Sequence, residues 1–309
     1  MKIYRDYTKF EATCPVVTIG VFDGVHTGHL EILKRLSQTA KQKEGESVVV
    51  TFWPHPRLVL TPDTDIKLIN TLDEKLALLE QAGVQHVVVI PFTEAFSQLS
   101  SAEFIASILV KQLKVNHLIV GFNHHFGKGR EGNFESIQQY AQLFGFSVEK
   151  LDAKMIENEK ISSTHIRKAL GEGDILTANK YLGYDYSLSG KVITGDQIGR
   201  TIGYPTANIQ VEEVNKLIPK AGVYAVVVNI SGINHHGMLN MGFRPTLKNK
   251  VPVFTIEVHI IDFTANIYEQ HITLRFKKRI RDEIRFEGLQ QLKDQLHQDR
   301  TEVIKILGE

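Results

Sequence analysis

Hydrophobic positions in the first 180 or so residues follow two alternating periods. Short, mostly apolar runs at 16–19, 48–52, 87–90, 117–120 and 146–151 have the length and β-branched content of strands buried on both faces. Between them the spacing is helical. Leu30, Leu33 and Leu36 begin one helix that ends near 43–45; Leu76, Leu78 and Leu79 mark another over 73–81, with Gly83 as its stop. Ser100 and Glu103 form a capping box ahead of Phe104, Ile105, Ile108, Leu109 and Leu113, and Gly145 ends a helix over 134–144. Strand and helix alternate throughout, which predicts a mainly parallel sheet covered by helices, with ligands beyond the carboxyl ends of the strands.

After a short helix at 174–182 the pattern changes. Strand-like runs at 188–193, 223–230, 238–241, 253–261 and 272–276 are separated by turn sequences, and only Leu289, Leu292, Leu296, Val303 and Leu307 return to helical spacing. The expected second fold is an antiparallel barrel closed by a C-terminal helix, because closure removes exposed strand edges. Residues 184–187 form the predicted joint, giving domains at 1–183 and 187–309. A chain of 309 residues suits two domains of roughly 150 each.

Charge and cysteine content narrow the classes. The net charge of +1 creates no field that recruits nucleic acid or an anionic membrane, and the basic run at 277–281 is local. A single cysteine, Cys14, excludes an internal disulfide framework and suits a reducing compartment. The first residues lack a signal-peptide core, and no stretch has the length of a membrane span. A soluble cytoplasmic protein is expected, with neither nucleic acid nor membrane as partner.

Candidate chemistry collects in loops after the predicted strands. GVFDGVHTGHL at 20–30 is a strand-to-helix turn in which Gly20, Gly24 and Gly28 permit close backbone approach. Its His26 and His29 lie on one side of the emerging helix, where a helix N-terminus already favours an anion. Such histidines donate hydrogen bonds to phosphate and, if protonated, add charge; helix capping and zinc ligation are the rival readings. His55 between Pro54 and Pro56 marks a rigid turn or a ligand loop. Asn123, with Phe126, Gly127, Lys128 and Arg130, marks a surface or ligand loop. Ser162, Ser163 and Thr164 precede a short helix carrying Arg167, either as caps or as a second phosphate clamp.

Two further stretches lie in the strand-rich half. GRTIGYPTAN at 199–208 holds Gly199 and Gly203, then Thr206 and Asn208, which point the same way in an extended segment. Their oxygens suit Mg²⁺ bridging phosphates, with a glycine turn and a core threonine as the alternative. In VFTIEVHII, Phe254, Ile256, Val258 and Ile260 take one face and Thr255, Glu257 and His259 the other. Glu257 in so apolar a strand is either a proton acceptor for a substrate hydroxyl or a solvent-facing barrel residue.

HxGH preceded by FDG resembles the signature of the nucleotidyltransferase superfamily. The whole ordered series resembles one family closely, the bacterial bifunctional riboflavin kinase/FMN adenylyltransferases, or FAD synthetases. It comprises GxFDGxHxGH, FxPHP, GFNHHFG, ISSTxIR, GRxxGYPTAN, GVY, NxGxRPT, ExHIxDF and RxExxF. The resemblance implies an α/β Rossmann-like nucleotidyltransferase domain followed by a six-stranded riboflavin kinase β-barrel. It implies riboflavin, FMN and ATP as substrates, FAD as product and Mg²⁺ as metal. Carried over, Gly20, Phe22, Asp23, His26, His29, Asn123, Ser163, Thr164 and Arg167 would bind ATP in the first domain, and Phe52, Pro54, His55 and Asn123 the flavin. In the second, Gly199, Gly203, Thr206 and Asn208 would bind ATP, with Thr206 and Asn208 on the metal. Arg281 and Glu283 would bind the flavin there, and Glu257 would be the base. The family pattern often carries Asp or Glu then Phe where this chain has Asn123 and His124, and glycine where it has Glu269. A nucleotidyltransferase for another acceptor would leave GRTIGYPTAN and Glu257 unexplained, and a flavin- or RNA-binding protein would need neither Glu257 nor the histidine pair.

Overall fold

The apolar runs of the first half lie side by side in a computed structural model, which describes residues 1–61, 63–121, 126–151, 161–195, 198–244 and 253–308. Strands β1 (Lys2–Tyr4), β2 (Val16–Ile19), β3 (Ser47–Trp53), β4 (His86–Pro91), β5 (His117–Gly121) and β6 (Ser147–Leu151) form one sheet in the order β1-β4-β3-β2-β5-β6. Every registered pair in it is parallel. Helices α1 (Thr27–Gln42), α2 (Pro56–Leu60), α3 (Leu72–Gln81), α4 (Glu94–Ser97), α5 (Ser101–Phe104) and α6 (Phe134–Phe144) connect the strands. The helix begun by α5 continues with π geometry over Ile105–Gln112.

Both faces of this sheet are covered, which is why its strands do not alternate. Val48 and Val50 join one cluster with Phe104, Ile105 and Leu109; Val49 joins another with Leu33, Leu36, Leu76 and Leu79. The chain leaves β2 toward β3 and β4 on one side and later returns to β5 on the other. The strand order therefore reverses beside β2, and the crevice at such a switch point is where open α/β sheets bind ligands. HxGH follows β2 at this position.

The capping box of Ser100 and Glu103 is formed, and Gly145 ends α6 in the left-handed region at φ 75°. The edge strand β1 was not expected, since three residues with two exposed side chains carry little periodic signal. Ser163 and Thr164 lie inside helix α7 (Ser163–Glu172), not before it.

The chain forms two compact units, Met1–Ser163 and Thr164–Glu309. After α7 and α8 (Ile175–Leu182) come β7 (Ser187–Ile193), α9 (Ile198–Thr201), β8 (Ala207–Gln210), β9 (Gly222–Ile230), β10 (Ile233–Arg244), β11 (Val253–Ile260), β12 (His271–Arg281) and α10 (Leu289–Leu307). These six strands close a barrel in the order β10-β11-β8-β7-β12-β9, with antiparallel pairing. Strand pairing alone achieves closure. The expected C-terminal helix is present as α10, whose Val303, Leu296 and Leu307 pack with Val223, Ala225 and Met238 of the barrel.

Inside, a methyl placed on Gly237 would meet methyl groups of Val226, Val228 and Val258 at 2.6–3.0 Å, so the missing side chain is what lets those valines meet. Glu269, at the position where the family pattern has glycine, takes φ 67° and pairs with Lys191. Its departure is absorbed by a left-handed turn residue with an ion pair.

Helices α7 and α8 belong with the barrel. Asn179 on α8 donates to the Phe276 carbonyl of β12 and accepts from the Tyr186 amide, while Ile175, Ala178 and Leu182 are buried. A fragment of residues 164–309 is therefore expected to melt at least about 5 °C above one of residues 187–309, which loses those contacts. Circular dichroism melts of the two fragments would check it, equal midpoints being the contrary result.

Candidate active sites

The turn after β2 holds unusual backbone. Phe22 has φ 51°, Gly24 φ 91° and Val25 φ 35°, a run of left-handed residues that only surrounding structure can hold. The Asp23 carboxylate helps: Oδ1 accepts from the amides of Ile69 (3.1 Å) and Asn70 (3.3 Å). Thr51 Oγ1 donates to the Val21 carbonyl, and Ser163 Oγ to that of Asp23 at 2.8 Å. Ser163 is therefore brought to the HxGH turn.

His26 is the N-cap of α1, its Nδ1 accepting from the His29 amide at 3.3 Å. That bond puts the proton of the neutral ring on Nε2. The two imidazoles stack with centroids 3.7 Å apart, and Phe22 packs on His29 at 5.0 Å. Burial pushes His26 down to about 4 against the opposing charge of Asp23. It also holds His29 well below the ordinary histidine range, helped by His26 and Lys75. Both rings are thus neutral at pH 7, so hydrogen bonding, not cationic charge, is what they offer.

Of the other residues expected here, Gly20 follows β2 directly and Phe52 packs with Phe92 and Phe96. Pro54 is exposed, and His55 caps α2 by accepting from the Arg57 amide at 3.1 Å. Asn123 lies outside the described residues. Thr164 and Arg167 lie on α7 in the second unit. Lys75 escaped the sequence reading because one lysine in a helix gives no signal; it is 2% exposed, with Nζ 5.4 Å from the Trp53 ring centroid.

In the barrel, Glu257 does sit on the face of β11 opposite Val258, as the alternation requires, yet it is only 3% exposed. The solvent-facing alternative is thereby excluded. Its neighbours in register are Asn208 on β8 and Asn240 on β10, and Thr206 Oγ1 donates to Glu257 Oε2 at 3.3 Å. A cavity of about 280 Å³ opens over this group, walled by Gly199, Tyr204, Met238, Arg281, Glu283 and Leu296 among others. Gly203 at φ 86° makes the turn that carries the chain from α9 to Thr206.

Arg281 is fixed within the cavity by a two-pronged pair with Asp299 of α10, Nε to Oδ1 at 2.9 Å and Nη2 to Oδ2 at 2.6 Å. Asp299 is 2% exposed and was not foreseen, since pairing across elements leaves no mark in sequence. A second cleft of about 560 Å³ lies beside the first, walled by Val258, Ile260 and Phe263 and by the polar Arg200, Thr264 and Asn266, among others. Thr206 lines both. One hydroxyl thus stands where a carboxylate-bearing cavity meets a cleft of mixed polar and apolar wall.

Comparison with known proteins gives concordant matches. A family model described as FAD synthetase matches residues 9–165, and one described as riboflavin kinase matches 182–307. A bifunctional riboflavin kinase/FMN adenylyltransferase of Listeria monocytogenes is 40% identical over 93% of this chain and 90% of its own. That of Bacillus subtilis is 38% identical over 96% and 94%, and that of Escherichia coli K12 36% over 95% and 93%. Among solved structures, the crystal structure of a macrolide-efflux protein from Streptococcus pneumoniae aligns with a TM-score of 0.85, at 31% identity and 97% coverage of each chain. Among the described residues no helix is long and apolar enough to cross a membrane. With both halves matched in order and the curated relatives aligned over nearly their whole length, this chain belongs to the bifunctional riboflavin kinase/FMN adenylyltransferase family.

Proposed function

We propose that the barrel unit phosphorylates riboflavin with ATP and that the sheet unit then joins the resulting FMN to the adenylyl group of ATP, releasing pyrophosphate and giving FAD. The observation that carries the kinase assignment is the buried Glu257 beside Thr206 at the junction of two cavities. Glu257 takes the proton of the riboflavin 5′-hydroxyl as its oxygen attacks the γ-phosphorus, and ADP leaves. The flavin lies in the cavity with Arg281 and Glu283, and the nucleotide in the larger cleft, its phosphates passing Thr206. Gly199 and Gly203 shape that passage.

The donor set suits Mg²⁺, which prefers oxygen ligands and retains water. Thr206 and Asn208 would hold it, and when bound it supplies positive charge to the transferring phosphoryl group. Asn208 is the register neighbour of Glu257, so hydroxyl, amide and carboxylate lie together.

In the sheet unit the FMN phosphate is itself the nucleophile, so the site positions two phosphates and stabilises charge. The Nε2–H of neutral His26, with His29, donates to ATP phosphate oxygens, and the turn of Gly20, Phe22 and Asp23 brings backbone close to them. Ser163, Thr164 and Arg167 complete the ATP contacts, with Asn123 on ATP and flavin. Phe52, Pro54 and His55 form the flavin side; the Phe52–Phe92–Phe96 cluster supports an aromatic surface there. The activities divide between residues 1–183 and 187–309, and the exposed Cys14 supports a cytoplasmic setting.

Incubation with riboflavin, ATP and Mg²⁺ followed by flavin separation is expected to yield FMN and FAD; unchanged riboflavin would sink the proposal. Glu257→Gln should lower riboflavin phosphorylation ~10²-fold or more and leave FAD formation from supplied FMN intact. The reverse specificity is expected of His29→Ala, which should abolish FAD formation and spare FMN formation. Near-normal kinase activity in the first variant, or near-normal FAD formation in the second, would remove the residue from its assigned role.

Acid should weaken the sheet unit. The unfolded chain binds a proton at His26 below about 6.5, whereas the native ring stays neutral until about 4, so stability is lost as pH falls through that window. From pH 7.5 to 5 the loss from His26 alone is about 2 kcal/mol. Urea unfolding followed by the fluorescence of Trp53, the single tryptophan, would measure it, and His26→Gln should flatten the dependence.

A further inference from the structure

With both histidines neutral, the adenylyl-transfer site proposed above lacks cationic charge on its HxGH turn, although breaking the α–β phosphate bond moves negative charge onto pyrophosphate. Helix α3 brings an ammonium to this region. The capping box of Thr71 and Glu74 fixes the helix start, so Leu72, Lys75, Leu76 and Leu79 form its buried stripe. Lys75 thus takes a core position where the helical period calls for an aliphatic residue, and it is among the largest fully buried side chains.

An ammonium at such a place is costly unless it meets an anion. Its surroundings do not supply one at contact. Nζ faces the Trp53 ring at 5.4 Å, and Asp23 acts on it through space while its own Oδ1 accepts from the Ile69 and Asn70 amides. Among the described residues no ion pair with Lys75 is formed. Burial pulls it down to about 8 against Asp23, which leaves it protonated at pH 7. Its charge also bears on His29, and the Trp53 ring it faces packs in one cluster with Phe22, which in turn packs on His29.

We propose that Lys75 is a phosphate-contacting residue of adenylyl transfer, its ammonium donating to the β- and γ-phosphate oxygens of ATP that depart as pyrophosphate. An FMN phosphate oxygen bonds to the α-phosphorus, the bond from that phosphorus to the bridging oxygen breaks, and its electron pair leaves on pyrophosphate. No proton needs to move in this step. The cation of Lys75 neutralises the departing charge, and Trp53 holds it in place until the nucleotide arrives.

Lys75→Met separates this role from a packing role, because an apolar side chain of similar length relieves the buried charge. We expect Trp53-monitored unfolding of the variant to be unchanged or shifted to higher urea, and FMN formation from riboflavin to be normal. FAD formation should fall about 10²-fold, and in the reverse reaction of FAD with pyrophosphate the KM for pyrophosphate should rise about tenfold or more, with the KM for FMN in the forward direction within about threefold. If the methionine variant unfolds the sheet unit, Lys75→Gln is measured in the same way. A folded variant that forms FAD within about threefold of the native rate, or one that changes only the KM for FMN, would overturn the proposal. His29→Ala in the same assay distinguishes the two failures: if it too is active, the reading of the site itself falls, and if it is inactive only the assignment of Lys75 does.

Discussion

Removal of water from ionisable side chains is the constraint on which both candidate sites depend. In the sheet unit it takes the proton from His26 and His29, turning a pair that reads as cationic into neutral hydrogen-bonding groups. The same desolvation lowers the pKa of Lys75, which among the described residues has no anion at contact. In the barrel it encloses Glu257, which accepts from Thr206 and borders a cavity, not bulk water. A buried charge is costly in such surroundings and therefore interacts strongly with any substrate that compensates it.

The two folds achieve this exclusion by different means. A parallel sheet buried on both faces has dry strands throughout, and the reversal of strand order beside β2 opens a crevice at their carboxyl ends. In the barrel, Val226, Val228 and Val258 meet over the missing side chain of Gly237, and Val258 also walls the cleft that Thr206 lines. The cavity that holds Glu257 lies where α10 and the α9 turn cover what would otherwise be a wet surface. The buried pair of Arg281 and Asp299 holds α10 to β12 at that place, and a broken pair would leave a buried charge uncompensated.

Much of this was legible in the sequence because period and turn chemistry are local. The valine runs, the Ser100 capping box and the glycine after Phe144 specify their elements without reference to distant residues. The motifs were legible for a related reason: HxGH and GRTIGYPTAN each lie on one short segment. What failed to show depends on partners far along the chain. The alternation of β11 correctly set Glu257 apart from Val258, but only α10, some thirty residues later, determines that its face is dry. Residues 2–4 form a strand only because β4 offers an edge, and Lys75 is unusual only once α3 is seen to turn it inward. The charge state of the histidines belongs to the same class, since a pKa follows from burial and not from spacing.

The division of charged groups between the units matches what each nucleophile needs. A riboflavin hydroxyl is neutral and must lose a proton, and on the proposed reading the carboxylate of Glu257 takes it. An FMN phosphate is already anionic, so its site needs no base; a carboxylate aimed at the reacting atoms would repel it. Asp23, the acidic residue of the HxGH turn, has Oδ1 engaged by the Ile69 and Asn70 amides. Its function on this reading is to hold the strained turn at Phe22 and Gly24 and to sustain the charge of Lys75 against burial. On this reading the hydroxyl-attacking site carries a base, and the phosphate-attacking site carries neutral donors backed by the cations of Lys75 and Arg167, a pairing that follows from the charge of the nucleophile before any contact with substrate is considered.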